Sequence, residues 1–559
     1  MPTLLEQLET IAARLTDGSA PSVQLDRPRN PEHGDIATNL AMTLARRLSR
    51  PPRDLARQII DSIDLGAAGL ASAEIAGPGF INFRLADRSL HVELITIVEA
   101  DREFGHSNVG AERRVQVEFV SANPTGPLHV AHGRGAALGD AIASLLEWTG
   151  HDVQREFYVN DAGVQIDKLA ESLDARWREL HGEPAAIPEG GYHGDYLRDM
   201  ARDLDQRHAA QLQAMSLPER LRFMREWATT TLLEEQDRDL REFGVRFDEF
   251  YPESRLYREH KLEETLAFLR ERGLVYEKDG AVWLRTSEYG DDKDRVLVKS
   301  DGTFTYFLPD LAYHRDKAKR GFQHVVNVWG ADHHGYVPRM QAALTAAGMD
   351  DFLDVEIVQM VRIMRGGEEA KLSKRAGQYI TLRELASETG TDVARYFFLM
   401  RRGDAQMLFD LDLAMDHSEK NPVFKIQYAH ARLMSIFRKA RVEPESIVAR
   451  DAELTLLTDP AELDLIKQLA QFPATIERAA ALRAPHMVCE YLEATAGQVN
   501  SWYHAGNPSR NPELAVLVQD DRLRGARLVL ARAARIVLRN GLEVLGLHAP
   551  ERMAREEIE

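Results

Sequence analysis

The sequence predicts an α/β protein with three parts: a Rossmann-like parallel-sheet domain, a small α+β N-terminal domain and an all-α C-terminal domain. Three observations support this prediction. The length of 559 residues allows three or four domains of about 150 residues each. A strand, a loop, a helix and a second strand follow one another between residues 114 and 159, which is typical of a βαβ unit in a parallel sheet. From Pro422 onward the hydrophobic pattern is almost purely helical.

Residues 1–105 are predicted to form the α+β domain. Apolar residues recur at helical spacing between Leu4 and Leu15, and a second amphipathic helix is predicted from Ile36 to Arg47. Residues 74–83 alternate in hydrophobicity around a Gly-Pro-Gly turn, which indicates two paired strands.

The βαβ unit begins with a β-rich run at residues 114–120 and continues with a loop at 121–127. A helix is predicted from about residue 136 to 148, and residues 153–159 form the second strand. Because ligands in open parallel sheets lie at the carboxyl ends of the strands, the loop after the first strand is the expected position of a binding site.

The parallel-sheet domain is predicted to span residues 106–400. It contains a mainly helical, charged insertion at about 165–280, interrupted by a patch rich in Pro and Gly. Further strand patterns follow the insertion, at residues 281–284, 296–298, 304–307 and 324–329. Residues 401–559 complete the chain as the helical C-terminal domain.

Composition places the chain among ordinary globular proteins. Hydrophobic residues make up 44% and charged residues 28%, which excludes disordered and collagen-like chains. The single cysteine, Cys489, cannot form an internal disulfide or a cysteine-ligated zinc site. The N-terminus lacks the basic start and apolar run of a signal peptide, and no long uncharged apolar stretch follows. The sequence therefore predicts a cytoplasmic protein without a membrane partner.

The formal net charge is −18, from 88 acidic and 70 basic side chains. A protein coated for non-specific nucleic-acid binding is expected to be basic, and the net charge argues against that class. Net charge does not describe how charges are distributed, so a local basic strip on an acidic body stays open.

Two histidines, His129 and His132, lie in the segment HVAHG at the junction between the loop and the helix. They can be ordinary polar residues at a helix start. They can also be a metal pair, although the histidines of zinc helices are four residues apart and no third ligand is evident. A third interpretation is phosphate binding, because the free N–H groups of a helix N-terminus and two imidazole donors favour an anion.

A basic segment, KLSKRAG, occupies residues 371–377. Such a cluster is by default a solvated loop. It can also be a mobile cationic loop that binds the β- and γ-phosphates of a nucleotide. Gly366, Gly367 and Gly377 flank the segment and permit such movement. The P-loop pattern of Gly-x-x-x-x-Gly followed by Lys and Ser or Thr is absent, so an ordinary P-loop ATPase is not expected.

Together, the two segments resemble the HIGH and KMSKS signatures of class I aminoacyl-tRNA synthetases. HIGH is met as HVAH, with Ala131 at its third position, and KMSKS as KLSKR, with Arg375 in place of the last Ser. Imidazoles on one side and lysines on the other suit in-line attack on an α-phosphate, with pyrophosphate leaving. The resemblance implies four catalytic residues, His129, His132, Lys371 and Lys374.

Nearly the whole chain resembles the arginyl-tRNA synthetase family. The similar stretches include VEFVSANPTGPLHVAH from residue 117, YVNDAGVQ from residue 158 and NPVFKIQYAHAR from residue 421. Residues 30–48 are similar to that family's additional N-terminal domain. The resemblance implies that L-arginine and ATP, as its Mg²⁺ complex, form arginyl-adenylate and that the arginyl group then passes to tRNA(Arg). It also implies a monomer without a tightly bound metal.

A guanidinium never loses its charge and carries five donors, so an arginine pocket needs carboxylate and hydroxyl acceptors. Tyr306 and Asp310 meet that demand, although a strand tyrosine and a helix cap would also account for them. The resemblance implies that both contact the guanidinium with help from Glu118. It also implies that Ser121 and Asn123 hold the backbone end of the substrate.

The segment Gly330 to Gly335 follows a buried-looking strand and contains Asp332, His333 and His334. A metal site is one interpretation, but adjacent residues in a regular element rarely chelate one ion. The resemblance implies instead that this loop lines the ATP pocket. The implied ATP ligands are His129, His132, Gly133, Asp332, His333, Lys371, Ser373 and Lys374.

The C-terminal region carries arginines with an apolar counter-pattern, which is typical of a solvated helix face. In a tRNA-binding domain these side chains become candidates for phosphate contacts. The candidates are Arg524, Arg527, Arg532, Arg535 and Arg539.

Three other functions stay open. A small-molecule nucleotidyltransferase shares the paired-histidine site but does not need the long helical C-terminus. A non-catalytic tRNA-binding relative should have lost the histidines or the lysines, which this chain keeps. A synthetase for another amino acid should lack the N-terminal module and the pair Tyr306 and Asp310.

Overall fold

A computed structural model describes residues 3–18, 21–26, 28, 30–370, 380–506 and 510–553 of the chain. Within these ranges, no helix is long and apolar enough to span a membrane. The largest hydrophobic core runs from the central parallel sheet into the C-terminal helices. The N-terminal domain and the helical insertion each have a core of their own.

The N-terminal domain packs helices against a small antiparallel sheet. Its elements and the helix that follows it are α1 (Leu4–Leu15), β1 (Ile36–Thr38), α2 (Leu40–Leu48), α3 (Pro52–Ser62), β2 (Leu70–Ala76), β3 (Phe80–Leu85) and α4 (Asp87–Ala100). The predicted strand pair is confirmed as β2 and β3. The predicted helix from Ile36 is wrong at its start, because residues 36–38 pair with β3 as a third strand and the helix begins at Leu40.

The central domain contains most of the strands. Its first elements are β4 (Arg114–Glu118), α5 (Val130–Trp148), β5 (Asp152–Val159), α6 (Val164–Leu180), α7 (Tyr196–Ala214), α8 (Leu217–Glu242), β6 (Glu249–Pro252), α9 (Ser254–Arg258), α10 (Lys261–Glu271), β7 (Val275–Lys278), β8 (Ala281–Leu284) and β9 (Arg295–Val298). Its later elements are α11 (Phe307–Lys319), β10 (His324–Gly330), α12 (Val337–Ala346), β11 (Leu353–Val358), β12 (Val361–Arg365), β13 (Glu368–Glu369), α13 (Leu382–Thr389), α14 (Thr391–Leu399), β14 (Met407–Asp410) and α15 (Leu411–Ala414).

Five strands form the predicted parallel sheet, in the order β11-β10-β4-β5-β6. The unit β4–α5–β5 confirms the βαβ prediction, with Glu118 opposite Glu156 in the register. Strand β4 lies in the middle, between β10 and β5. The loops that follow these three strands therefore meet at one edge of the sheet, where a ligand is expected.

Helix α5 begins at Val130, well before the predicted start near residue 136. Gly133 and Gly135 lower the helix propensity of the first turns, which hid the true start from a propensity argument. Tertiary packing compensates for this. A Cβ added at Gly133 would come within 2.5 Å of Leu382 and 3.2 Å of Phe398, so only glycine allows this close approach.

The helical part of the insertion consists of α6, α7 and α8, which pack around Trp177 and Met224. The prediction placed residues 165–280 in the insertion, but β6 is the fifth strand of the parallel sheet. The predicted strand at 304–307 is also wrong. Phe304 forms only an isolated bridge with Val298, and Phe307 opens α11.

The C-terminal domain is helical, as predicted. Its helices are α16 (Pro422–Ala440), α17 (Pro460–Leu469), α18 (Phe472–Ala481), α19 (His486–Ala505) and α20 (Asp521–Val544). The domain also touches the N-terminal domain, because Lys467 Nζ of α17 lies 2.8 Å from Asp35 Oδ1. The N-terminal and C-terminal domains are therefore in direct contact at this ion pair.

Candidate active site

The two histidines lie at the amino end of α5, after β4 and its loop. His129 precedes the first helical residue, and His132 occupies the third helical position. Their rings stack with centroids 3.7 Å apart and an angle of 25° between the planes. The pair thus presents two imidazoles at a helix N-terminus, which is a favourable place for an anion.

Both imidazoles have depressed pKa values. Burial lowers the pKa of His129, and burial together with the neighbouring His129 lowers the pKa of His132 to about 3. The backbone N–H of His129 donates to Nδ1 of His132 at 3.3 Å, which leaves the ring proton of His132 on Nε2. At neutral pH, His132 therefore offers an N–H donor and no positive charge.

The predicted phosphate ligands of the basic segment, Lys371, Ser373 and Lys374, lie outside the described residues. The structure describes the chain on both sides of this segment. Before it, Ala370 N–H donates to the Ile363 carbonyl at 2.8 Å, at the end of the hairpin of β12 and β13. After it, Ile380 is the first described residue.

The chain after the basic segment is joined directly to the histidine turn. His129 and Thr381 form an antiparallel bridge, in which Val130 N–H donates to the Ile380 carbonyl at 3.2 Å. Thr381 then begins α13 with a capping box that involves Glu384. The structure thus joins the residues that directly follow the basic segment to the histidine turn, a contact that spacing along the chain could not show.

The chain turns sharply after β4, where Val120 and Ser121 have φ values of 66° and 40°. Positive φ is strained for these residue types, and such strain is concentrated at functional sites. The turn is held by Ser121 Oγ, which donates to Glu118 Oε1 at 3.1 Å and accepts from Tyr158 N–H at 3.2 Å. Ser121 therefore lies over the carboxyl ends of β4 and β5.

The negative charge of Glu118 is paired with a lysine of the protein itself. Its Oε2 accepts a 2.6 Å hydrogen bond from Nζ of the fully buried Lys317, on α11. Burial lowers the pKa of Lys317, while the Glu118 carboxylate opposes that shift. Glu118 is therefore not the unpaired anion that a guanidinium requires, and its expected role in binding the guanidinium is weakened.

Asp310 lies in the first turn of α11, and among the described residues no cation pairs with it. Its Oδ2 accepts a hydrogen bond from the hydroxyl of Tyr336. Burial raises the pKa of Asp310 to about 7, with further contributions from the carboxylates of Glu253 and Glu118. Tyr306 precedes the same helix and is 88% exposed. A raised carboxylate pKa in a site without a cation is typical of a place for a positively charged ligand.

Glu253, which the sequence did not indicate, is a second such carboxylate. It lies just after β6 and is 9% exposed, and no cation of the described chain pairs with it. Burial, and then Asp161, raises its pKa. Burial, and then the carboxylates of Glu253 and Asp310, raise the pKa of Tyr257 to about 12, and the Tyr257 hydroxyl donates to Glu253 Oε1 at 3.4 Å. A four-residue strand was too short for its periodicity to reveal this glutamate.

The remaining predicted contacts lie at the same edge of the sheet. Asn123 Nδ2 donates to Gln165 Oε1 at 2.7 Å, and the Asn123 carbonyl accepts from Gln236 Nε2 at 3.1 Å. Asp332 and His333 occupy a 3₁₀ turn directly after β10, and both are largely exposed. The described residues contain no group of three or more His, Cys, Asp or Glu side chains placed to hold a metal ion.

Comparison with known protein families assigns all three parts of the chain. A family described as "tRNA synthetases class I (R), catalytic domain" matches residues 93–401. The chain belongs to the arginyl-tRNA synthetase family. The "Arginyl tRNA synthetase N terminal domain" matches residues 3–85, and the "DALR anticodon binding domain" matches residues 426–553.

Individual arginyl-tRNA synthetases are similar over nearly the full length. Arginine–tRNA ligase 1 of Halalkalibacterium halodurans is 46% identical over 97% of this chain and 96% of its own length. Arginine–tRNA ligase of Geobacillus kaustophilus is 45% identical over 98% of each chain. The Thermus thermophilus arginyl-tRNA synthetase structure has a TM-score of 0.76 at 24% identity, covering 99% of this chain and 100% of its own. The predicted family, enzyme class and fold class are confirmed.

Within this arginyl-tRNA synthetase fold, most of the predicted tRNA-binding arginines of α20 face inward rather than outward. Four of them have side chains no more than 11% exposed and pair with Glu462, Asp101 or Glu445: Arg527, Arg532, Arg535 and Arg539. Arg524 is 35% exposed and pairs with Asp521. Arg524 stays a candidate for a phosphate contact, but the predicted solvated face is wrong for the other four arginines. These guanidinium groups hold α20 to its neighbours.

Proposed function

We propose that this chain is an arginine–tRNA ligase that activates L-arginine with ATP and transfers the arginyl group to tRNA(Arg), releasing AMP and diphosphate. One observation carries the choice of amino acid. Asp310 and Glu253 are two carboxylates close enough to influence each other electrostatically, and no cation of the described residues pairs with either. A small-molecule nucleotidyltransferase has no need of such a pair.

The guanidinium of arginine supplies the missing positive charge. It is planar and carries five donors, so its two edges can bond Asp310 and Glu253 at the same time. The compact ammonium of lysine cannot bond two carboxylates in one plane, and a neutral side chain leaves both charges unbalanced. Tyr306, at the start of the same helix as Asp310, adds a hydroxyl acceptor at the mouth of the pocket.

The backbone end of the substrate is assigned to Ser121 and Asn123. Both follow β4, and Ser121 is oriented by its bonds to Glu118 and to the backbone of Tyr158. Because Lys317 keeps Glu118 balanced, this part of the pocket is polar without carrying excess negative charge. That suits a substrate end with both an ammonium and a carboxylate.

Activation joins the arginine carboxylate to the α-phosphorus of ATP. The bond from that phosphorus to the bridging oxygen breaks, and diphosphate leaves with the electron pair. The neutral Nε2–H of His132 donates to a phosphate oxygen as charge builds, while the lysines and the Mg²⁺ carried by ATP balance the leaving group. The other proposed ATP ligands are His129, Gly133, Asp332, His333, Lys371, Ser373 and Lys374.

Transfer follows at the same sheet edge. The terminal ribose hydroxyl of tRNA attacks the carbonyl carbon of arginyl-adenylate, its proton passes to the phosphate of the departing AMP, and AMP leaves with the electron pair of the broken C–O bond. The neutral histidines require no proton loss before either step, so positioning and charge balance dominate the chemistry.

Exchange of labelled diphosphate into ATP, measured with each of the twenty amino acids, tests the assignment. We expect exchange with arginine alone, and by resemblance only when tRNA(Arg) is present. Exchange with lysine or another amino acid would contradict the role given to Asp310 and Glu253. Exchange with arginine but without tRNA would contradict only the tRNA dependence.

We further infer that the enzyme works as a monomer in the cytoplasm. All proposed site residues come from one chain, so no second copy is needed to complete the site. The one cysteine, Cys489, is buried and free, which suits a reducing compartment. Light scattering on the purified protein should give a mass near 63.0 kDa, and a doubled mass would refute the monomer.

A further inference from the structure

Tyr336 lies at the end of the 3₁₀ turn that follows β10, and α12 begins at the next residue. The residues before it, 332–335, are exposed, whereas Tyr336 is partly buried. Its hydroxyl donates to Oδ2 of Asp310, in the first turn of α11. Tyr336 therefore joins the turn after β10 to one of the carboxylates proposed for arginine binding.

The ring of Tyr336 is held by side chains of three elements. Phe307, at the start of α11, meets it edge to face, with ring centroids 6.0 Å apart and an angle of 83° between the planes. The centroid of Trp329, on β10, lies 5.9 Å away. The guanidinium of Arg339, on α12, lies over the ring at 5.2 Å from its centroid. These contacts fix the position of the hydroxyl relative to Asp310.

The hydrogen bond from Tyr336 determines how the Asp310 carboxylate is turned. The last torsion of an aspartate side chain has a broad energy minimum, so a carboxylate without partners rotates readily. Tyr336 holds Oδ2, while Oδ1 accepts no hydrogen bond from the described residues. Because a planar guanidinium needs its acceptors in one plane, a carboxylate that is already oriented loses less freedom when arginine binds.

A tyrosine orients Asp310 without cancelling its charge. Glu118 shows the contrasting arrangement, because the ammonium of Lys317 lies 2.6 Å from it and neutralises it. Burial, and then the carboxylate of Asp310, raises the pKa of Tyr336 above its usual range, so the hydroxyl stays a neutral donor. Asp310 therefore keeps the negative charge that a guanidinium requires.

We propose that Tyr336 is a positioning residue for arginine binding, which turns the Asp310 carboxylate toward the guanidinium of the substrate. The inference rests on the proposed ligase function. Tyr306, which is 88% exposed, is proposed to contact the substrate itself, whereas Tyr336 acts through Asp310. Loss of the Tyr336 hydroxyl should therefore change the KM for arginine and leave kcat nearly unchanged.

The same hydrogen bond affects the pH at which Asp310 ionises. Burial, together with Glu253 and Glu118, raises the pKa of Asp310 to about 7, and the Tyr336 hydroxyl opposes this shift. The pair is surrounded by titratable and charged side chains of the neighbouring strands and helices: Glu118, Tyr158, Glu253, Tyr257, Arg295 and Arg339. Removing the hydroxyl should raise the pKa of Asp310 further, because the ionised carboxylate then loses its donor.

The test is Tyr336→Phe, which keeps the ring and its packing but loses the hydroxyl. In ATP–diphosphate exchange at neutral pH and saturating tRNA, the KM for arginine should rise about tenfold, the size expected for the loss of one hydrogen bond to a charged group. The kcat should stay within about twofold of the wild type. The increase of arginine affinity with pH should move to higher pH by about one unit, which a purely structural role of Tyr336 would not cause.

Tyr276→Phe is the matched control. The Tyr276 hydroxyl, on β7, also donates to an aspartate, Asp294 Oδ2, at 2.9 Å, and neither residue belongs to the proposed site. This variant should have the KM and pH profile of the wild type. A second comparison adds Tyr336→Phe to Asp310→Asn. The double variant should have the same KM as Asp310→Asn alone within about twofold, because Tyr336 acts only through the carboxylate.

Two results would overturn the positioning role of Tyr336. One is a wild-type KM and pH profile in Tyr336→Phe. The other is a tenfold rise in KM that persists when Tyr336→Phe is added to Asp310→Asn. Absence of arginine-dependent exchange in the wild type would instead contradict the ligase function itself.

Discussion

The arginine row of α20 and the carboxylates at the sheet edge are both shielded charges, but only the first is balanced inside the protein. Arg527 bonds Glu462 at 2.6 Å, with side chains only 4% and 2% exposed. Asp310 and Glu253 have no cation among the described residues, and both have raised pKa values. The charges that stabilise the fold are paired within the chain, whereas the carboxylates that we propose for arginine binding have no cation partner among the described residues.

This difference in pairing matters because the sequence patterns suggested ligand binding for the arginines and a structural role for Asp310. The arginines repeat along one helix and resemble a surface for tRNA phosphates, while Asp310 can be taken for an ordinary helix-capping residue. Pairing, and not residue type, separates the two roles. Substitutions at these positions test whether the unpaired carboxylates bind the substrate and the paired arginines only stabilise the fold.

The largest effect is expected for Asp310→Asn, which removes the charge but keeps the shape. A buried guanidinium deprived of its carboxylate typically loses 2–5 kcal/mol, so kcat/KM for arginine should fall about 1000-fold. Asp301→Asn, on an exposed turn, is the control and should behave as the wild type. Steady-state exchange kinetics give kcat/KM for arginine in both variants. A loss below about tenfold in Asp310→Asn would show that Asp310 does not bind the guanidinium.

Arg527→Met should act on stability alone. Breaking a buried pair leaves Glu462 uncompensated and costs about 3–5 kcal/mol of unfolding free energy, measured by urea denaturation. Adding Glu462→Leu should recover most of that loss, because no charge then remains buried. The slope of log tRNA affinity against log salt should not change. A slope flatter by about one unit would restore Arg527 as a phosphate contact.

Glu253→Gln should have a smaller effect than Asp310→Asn, because the amide keeps a hydrogen bond to the guanidinium. We expect about 2 kcal/mol, or roughly a 30-fold loss in kcat/KM for arginine, mainly through KM. Glu263 lies exposed on α10, and Glu263→Gln serves as the control. An unchanged KM would show that Glu253 does not face the substrate.

The smallest effect is a pH dependence of arginine binding. Burial raises the pKa of Asp310 to about 7, and in the proposed function Asp310 binds arginine as an ionised carboxylate. The affinity for arginine should therefore rise about tenfold between pH 6 and pH 8, measured by calorimetry. Asp310→Asn should flatten that rise, and an equally steep profile in the variant would assign the titration to another group.

The unfolding free energy should change with pH in the opposite direction to the affinity for arginine. The pKa of Asp310 is higher in the folded state than in the unfolded chain, so the folded state keeps its proton to higher pH. The contribution of Asp310 to the unfolding free energy of the unliganded protein should therefore fall as pH rises from about 4 to 7. The difference in Tm between the wild type and Asp310→Asn, followed over this range, isolates that contribution.

Local patterns in the sequence were sufficient for much of the fold. The alternation of residues 74–83 predicted β2 and β3, and the βαβ pattern predicted β4, α5 and β5, because these elements have periodicities that neighbouring residues reveal. The prediction missed the first turns of α5 and the strand β6. In both cases, contacts with distant segments outweigh a weak local signal, as the packing of Gly133 against Leu382 illustrates.

At the site, sequence patterns predicted the residue types and their order: the paired histidines, the basic segment, and Tyr306 with Asp310 on one stretch of chain. Which of the charged side chains have a partner depends on how the chain folds. The fold pairs Glu118 with Lys317 and Arg527 with Glu462, whereas Asp310 and Glu253 have no cation partner among the described residues. The physical reason is that desolvation and ion pairing depend on neighbours far away along the chain, which no local pattern records.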